Sequence, residues 1–156
     1  MKEYKVGIIG GTGMVGQRFI TLMENHPWFR LTVIAASARS AGKPYGEAAE
    51  KRWVMPSPIP ACARDLVVMD AVADAEKIAS LVDFCFCAVD MPKDEIRALE
   101  ERYAKLECPI VSNNSAHRWT EDVPMVVPEI NPEHLAVIPH QRKRLGTERG
   151  FIAVKS

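Results

Sequence analysis

Near the amino terminus a short apolar run, YKVGIIG (residues 4–10), passes directly into GGTGMVG (residues 10–16). The run is β-branched and ends in glycine, the pattern of a buried strand. Behind it Val15, Phe19, Leu22 and Met23 recur at helical spacing over residues 14–24, and HPW (residues 26–28) closes that helix. A strand, a glycine turn and a helix in immediate succession leave few folds open. Two spacings overlap in the turn, Gly10-x-x-Gly13-x-x-Gly16 and Gly11-x-Gly13-x-x-Gly16. In either, the chain turns tightly off the strand, the backbone can approach a pyrophosphate with no Cβ in the way, and a small residue lets the helix pack on the sheet. The unpaired amides at the helix start would then face the phosphates.

The remaining chain alternates in the same way. Residues 30–37 (RLTVIAAS) read as a strand, 65–70 (DLVVMD) as another, and 73–81 as a short helix. The strong apolar run 82–89 (VDFCFCAV) is a strand, Pro92 opens a helix to about Leu106, and 108–114 (CPIVSNN) is a strand. Beyond it the pattern thins to a short strand at 124–130, one helical turn at 131–135 and a final strand at 149–156. Residues 38–64 hold four prolines and little periodicity, so a long loop over a binding site is expected there rather than an element. Strands alternating with helices predict an α/β fold: a Rossmann-type, doubly wound, mostly parallel sheet with helices on both faces. At 156 residues the whole chain, 1–156, is expected to form one dinucleotide-binding domain.

The second strand decides which dinucleotide is expected. A site for NAD places an acidic residue after that strand, to hold the ribose hydroxyls. Here the strand ends in AASARSAGK, with Ser37, Arg39, Ser40 and Lys43, and the next acid is Glu47. A guanidinium and hydroxyls suit a 2′-phosphate, so the predicted cofactor is NADP.

Lys+Arg and Asp+Glu balance at 20 each, so no overall field draws the chain to nucleic acid or an anionic membrane. No apolar run reaches the ~18 residues of a membrane span, and the first residues lack a signal-peptide pattern. Cys62, Cys85, Cys87 and Cys108 show no paired CxxC spacing and no histidine at ligand distance, so no metal site is expected. Cys85 and Cys87 alternate on an apolar run and are read as small core residues facing one side of a strand. The compartment is then a reducing one, the cytosol.

Five stretches carry a further resemblance: GGTGMVGQRF, AASARSAGKPY, VSNNSAHR, VPEINPEHL and QRKRLGTERGFIAVK. In them the chain resembles the aspartate-semialdehyde dehydrogenases, particularly their archaeal and fungal branch. Gly11 stands where that family usually has alanine. The resemblance implies NADP-dependent interconversion of L-aspartyl 4-phosphate and L-aspartate 4-semialdehyde, on the route to lysine, threonine and methionine. A cysteine thiolate attacks the acyl phosphate, phosphate leaves, and hydride from NADPH reduces the thioester. By resemblance Thr12, Gly13, Met14 and Val15 contact the cofactor phosphates, Arg39 and Ser40 grip the 2′-phosphate, Asn114 lines the nicotinamide side, and Arg118 holds the substrate phosphoryl group. In the family the strand matching GFIAVK leads into an Asn-Cys-Ser/Thr turn that carries the nucleophile. None of the four cysteines here matches it, so this chain is expected to bind NADP and to be inactive alone. The catalytic cysteine, the acid/base histidine, the catalytic and dimerisation domain and the homo-oligomer surface are expected downstream of Ser156, with an uncovered apolar face where that domain docks. Two other readings stay open: a non-catalytic NADP-sensing module, and a piece of a related reductase such as malonyl-CoA reductase.

Overall fold

The computed structural model describes residues 2–155. In chain order these form β1 (Tyr4–Ile9), α1 (Met14–Met23), β2 (Phe29–Ala36), α2 (Tyr45–Ala49), α3 (Ala61–Arg64), β3 (Met69–Asp70), α4 (Ala75–Leu81), β4 (Phe84–Cys87), α5 (Lys93–Lys105), β5 (Ile110–Ser112), β6 (Met125–Val126), a 3-10 helix (Pro132–Val137), α6 (Ile138–Leu145) and β7 (Ile152–Lys155). The strands pair in parallel in the order β3-β2-β1-β4-β5-β7-β6. The chain builds outward from β1 in one direction, then returns to lay β4 on the other side. That reversal leaves a crevice outside the carboxyl ends of β1 and β4, where open α/β sheets take their ligands.

Side chains alternate across the sheet and feed two cores. Val6 and Ile8 of β1 pack with Ile20 and Met23 of α1, Tyr45 and Ala49 of α2, and Ala63 of α3. Ile9 faces the other way and joins Ala75 and Ile78 of α4, Leu99 and Tyr103 of α5, and the buried thiols of Cys85, Cys87 and Cys108. Helices therefore cover both faces, and Cys85 and Cys87 are core residues on one side of β4, as their alternation predicts. In α5, Ile96, Leu99 and Tyr103 supply the inward stripe, with Asp94 and Glu95 in the first turn and Arg102 and Lys105 in the last, the charge order that suits a helix dipole. No helix of the described residues is long and apolar enough to cross a membrane.

The structure differs from the sequence expectations at several places. Residues 38–64 are not one loop: α2 and α3 lie within them, each directly behind a proline, Pro44 and Pro60, both with φ near the proline value. Proline breaks a helix from inside but is tolerated at its start, so proline density here marks helix entrances. The strand expected at 65–70 shrinks to Met69–Asp70, because Leu66 and Val68 pair with the 42–45 segment instead, through Tyr45 N to Leu66 O, Val68 N to Lys43 O and Gly42 N to Val68 O. The apolar face predicted for α1 is turned: Val15 and Leu22 are exposed, and the buried face is Gly16, Gln17, Ile20 and Met23. Helix α6 is an element that the sequence reading passes over. Its IPHQRKRL run is too charged for an apolar stripe, yet Gln141 and Leu145 are buried. The final strand begins at Ile152, and the last residue of its expected range, Ser156, lies outside the described residues.

Candidate nucleotide site

The turn after β1 is held tightly from behind. Gly10 has φ +90°, and a Cβ there would lie 2.2 Å from the carbonyl oxygen of Ala88, at the carboxyl end of β4. A Cβ on Gly16 would lie 2.1 Å from Gly10 O and 2.8 Å from Gly11 Cα, so the start of α1 sits directly on the turn. Both positions need glycine for the protein's own packing. Gly13 does not: its φ is an ordinary −79°, and the nearest atom to an added Cβ is Gly10 O at 3.9 Å. Its bare backbone faces open space.

The Gly10 and Gly11 amides are taken by Ala35 O, at 2.8 and 3.3 Å, and the next three carbonyls are occupied as well. Gly11 O accepts from the buried Tyr45 hydroxyl at 2.7 Å, Thr12 O from Gln17 Nε2 at 2.9 Å, and Gly13 O from Gln17 N at 2.8 Å. Among the described residues the amides of Thr12, Gly13, Met14 and Val15 donate to no protein acceptor. Helix α1 has no side-chain cap and no acidic residue in its first turn. Four unpaired donors at the positive end of a helix make a seat for an anion.

Beyond β2, Ser37 and Arg39 are exposed and Ser40 is buried in a tight turn closed by Ser40 N to Ser37 O at 3.0 Å. Arg39, Ser40 and Lys43 line a cavity of about 350 Å³, together with residues of α2 and the segment behind it. That segment touches the glycine turn, since Arg52 Nη1 lies 3.4 Å from Thr12 Oγ1. The predicted 2′-phosphate residues and the predicted pyrophosphate turn thus adjoin.

On the other side of the turn, the end of β4 meets the end of β5, with Asn113 N donating to Cys87 O at 2.8 Å. The Asn114 side chain points inward: its amide lies 3.3 Å from both Cys87 Sγ and Glu100 Oε2, while its backbone N–H donates to Ser112 Oγ at 3.0 Å. What Asn114 has left for a ligand is its side-chain oxygen. Glu100 is 1% exposed, its other oxygen has no partner, and burial raises its pKa, favouring the protonated form. Sequence reading missed Glu100, Gln17 and Tyr45, because each supports the site from behind with no motif of its own.

Residues 113–118 form the loop past β5. Arg97 of α5 holds it by donating to Ala116 O at 3.0 Å. His117 is fully buried, its Nε2 3.3 Å from Arg97 O and its Nδ1 3.0 Å from Thr120 Oγ1. A carbonyl only accepts, so the neutral ring carries its proton on Nε2, and Nδ1 accepts from the Thr120 hydroxyl. Arg118 is half-buried, and its Nε is buried without a partner. The predicted clamp therefore stands at the sheet's carboxyl edge with an unused donor. Just past it Trp119 is 90% exposed, and Ile130, beyond β6 on the same edge, is 76% exposed.

Burial lowers the His117 pKa below its usual value. The unfolded chain then takes up that proton at a higher pH than the folded one does. The stabilising contribution of the neutral ring is complete above the usual histidine pKa and is lost as pH falls through it toward the folded value. Thermal melts are expected to shift down between about pH 7 and pH 5, and His117→Gln is expected to flatten that dependence. An unchanged slope in the variant would mean that other groups carry it.

Comparison with known proteins follows the same lines. Residues 5–138 match the model of the family described as semialdehyde dehydrogenase, NAD binding domain. The aspartate-semialdehyde dehydrogenase of Archaeoglobus fulgidus is 43% identical over 150 residues, spanning 96% of this chain and 41% of that protein. The enzyme of the same name from Methanothermobacter thermautotrophicus is 46% identical over 147 residues, 94% of this chain and 40% of its own length. The crystal structure of aspartate semialdehyde dehydrogenase with NADP from Candida albicans superposes with a TM-score of 0.83 at 35% identity, covering 97% of this chain and 42% of that one. This chain spans about two-fifths of the length of these relatives. Glycine turn, parallel sheet and sequence agree along its length, and the chain belongs to the semialdehyde dehydrogenase NAD-binding domain family.

Proposed function

We propose that this chain binds NADP along the carboxyl edge of its sheet, as the nucleotide-binding part of an aspartate-semialdehyde dehydrogenase. The observation that carries the reading is the open face of Gly13 beside four unpaired amides at the uncapped start of α1. Thr12, Gly13, Met14 and Val15 would receive the pyrophosphate on their backbone N–H groups, with Gly10 and Gly16 setting the turn. Ser37, Arg39 and Ser40 would hold the 2′-phosphate, and the Asn114 side-chain oxygen would border the nicotinamide. The cofactor supplies hydride to an acyl group; the protein's part here is to seat and orient it.

Arg118 would hold the phosphoryl group of aspartyl phosphate, and its unpartnered buried Nε favours an enzyme over a pure NADP-sensing module. The nucleophile has no candidate in this sequence. An attacking thiol is activated by a lowered pKa, whereas the hydrogen bond with Cys108 and then burial raise that of Cys85, burial raises that of Cys87, and burial and Glu24 raise that of the exposed Cys62. Cys108 is buried, its thiol 3.8 Å from Cys85 Sγ. Turnover would therefore need a cysteine and an acid/base histidine from the portion of the relatives' length that this chain does not span. That portion would also cover Trp119 and Ile130 and supply the homo-oligomer contact, and the buried unpaired thiols suit the cytosol.

Calorimetric titration tests the cofactor assignment. The chain is expected to bind NADPH more tightly than NADH, and Arg39→Ala to weaken NADPH about tenfold while leaving NADH unchanged, as loss of one exposed charge-assisted contact implies. The same preparation is expected to show no sustained turnover with aspartate semialdehyde, phosphate and NADP. Equal affinity for the two cofactors in the unsubstituted chain would sink the assignment.

A further inference from the structure

Four cations line the cavity beyond β2: Arg39, Lys43, Lys51 and Arg52. Glu47 and Glu50 share its wall, yet among the described residues the ion pairs are those of Arg144 with Glu101 and Asp122. The cavity's cations thus remain without carboxylate partners in a concave site that already holds two carboxylates. Such an arrangement leaves positive charge available to an anion that is not part of the chain.

Arg52 differs from the other three in how it is held. Gln17, itself 1% exposed on α1, donates from Nε2 to Arg52 O at 2.9 Å and to Thr12 O at 2.9 Å, and accepts from Val54 N at 3.0 Å. One buried amide therefore fastens the 52–54 backbone to the glycine turn. The guanidinium reaches back to Thr12 Oγ1, so it stands on the turn and in the cavity at once. Lys43 and Lys51 have exposed side chains that make no hydrogen bond among the described residues. A planar fork with several donors, anchored on rigid backbone, loses less freedom on meeting phosphate oxygens than a free ammonium does.

We propose that Arg52 is a specificity-determining residue for NADP, a second guanidinium that meets the 2′-phosphate from the glycine-turn side of the cavity, where Arg39 and Ser40 meet it from the β2 side. This rests on the NADP assignment above. It gives the proline-rich segment a job: α2 and the following residues carry a cation back to the nucleotide.

The test uses the full chain with four probes: NADPH, NADH, adenosine 2′,5′-bisphosphate and adenosine 5′-monophosphate. Arg52→Ala removes an exposed side chain and keeps the carbonyl that Gln17 uses, so its melting temperature is expected to match the parent. It is expected to weaken NADPH and the 2′,5′-bisphosphate about tenfold, and to leave the two probes without a 2′-phosphate within about twofold. Arg52→Lys is expected to recover part of the loss, and Lys51→Ala to cause little. An equal loss for all four probes would place Arg52 at the pyrophosphate through Thr12 and overturn the proposal. So would no loss at all, or a loss of the same size from Lys51→Ala, the mark of a diffuse field. Failure of the underlying assignment shows separately, as equal NADPH and NADH affinity before any substitution.

Discussion

Replacing Gly13 with valine is expected to weaken NADPH binding about a hundredfold, ~2.8 kcal/mol, while costing the fold only about 1 kcal/mol as a poorer helix N-cap. The asymmetry follows from where the new atoms go. Nothing of the protein lies closer than 3.9 Å to a Cβ at this position, and its φ suits any residue. The added carbons would instead fill the space in front of the amides of Thr12 to Val15 and keep phosphate oxygens from reaching them. Losing about two charge-assisted contacts at ~1.5 kcal/mol each accounts for the size. Calorimetry with a parallel thermal melt checks both halves. Undiminished affinity would mean that the pyrophosphate does not cross this turn.

Gly16→Ala is expected to do the reverse, damaging the fold first. Its Cβ would overlap Gly10 O at 2.1 Å and Gly11 Cα at 2.8 Å, and both are backbone that cannot rotate away. Helix α1 would have to lift from the turn, breaking the Gln17 contacts and loosening Ile20 and Met23 in the core beneath. Overpacking of this kind costs ~3 kcal/mol, a fall of about 6–12 °C in melting temperature for a domain of this size. Cofactor affinity would drop as a consequence. A melting temperature within a degree or two of the parent would show that the turn can relax, and that helix and turn are less closely joined than the geometry says.

How much of this was legible from residues alone depends on what kind of signal each feature carries. The glycine turn, the mostly parallel sheet and the two-sided layering follow from local pattern: a short apolar run, glycines at fixed offsets, strands alternating with helices. Cys85 and Cys87 were placed in the core by simple alternation. The face of α1 was misjudged because its most intimate contact is a glycine, Gly16, and its most buried polar residue is Gln17, neither of which registers as apolar. The same blindness hid α6. Gln141 is fully buried there, its amide donating to Ile152 O at 2.9 Å and its carbonyl accepting from Ile152 N at 2.7 Å. A glutamine that serves as a surrogate strand partner looks, in sequence, like any surface residue. Proline misled in residues 38–64 by suggesting irregularity where it marks two helix starts. For the proposed site, the missing acid after β2 points to Arg39 and Ser40, and the SNNSAHR motif points to Arg118. Arg52 carries no such signal, because its place beside the turn depends on a fold-back held by Gln17 and Tyr45.

The position of β7 has a consequence for how the molecule is made. β7 follows β6 in the sequence yet lies between β5 and β6, and among the described residues β6 pairs with no other strand. While such a chain emerges from a ribosome, β5 shows a bare flank and residues 125–126 have no neighbour, however long the earlier strands have been assembled. The layered half that holds the glycine turn can mature early, whereas the β5 flank beneath Asn114 and Arg118 must wait for residues 152–155 to slot in. Assembly of this sheet therefore closes from the glycine-turn side toward β6, and a polypeptide stalled before residues 152–155 insert would offer an unfinished ladder to any other strand in reach.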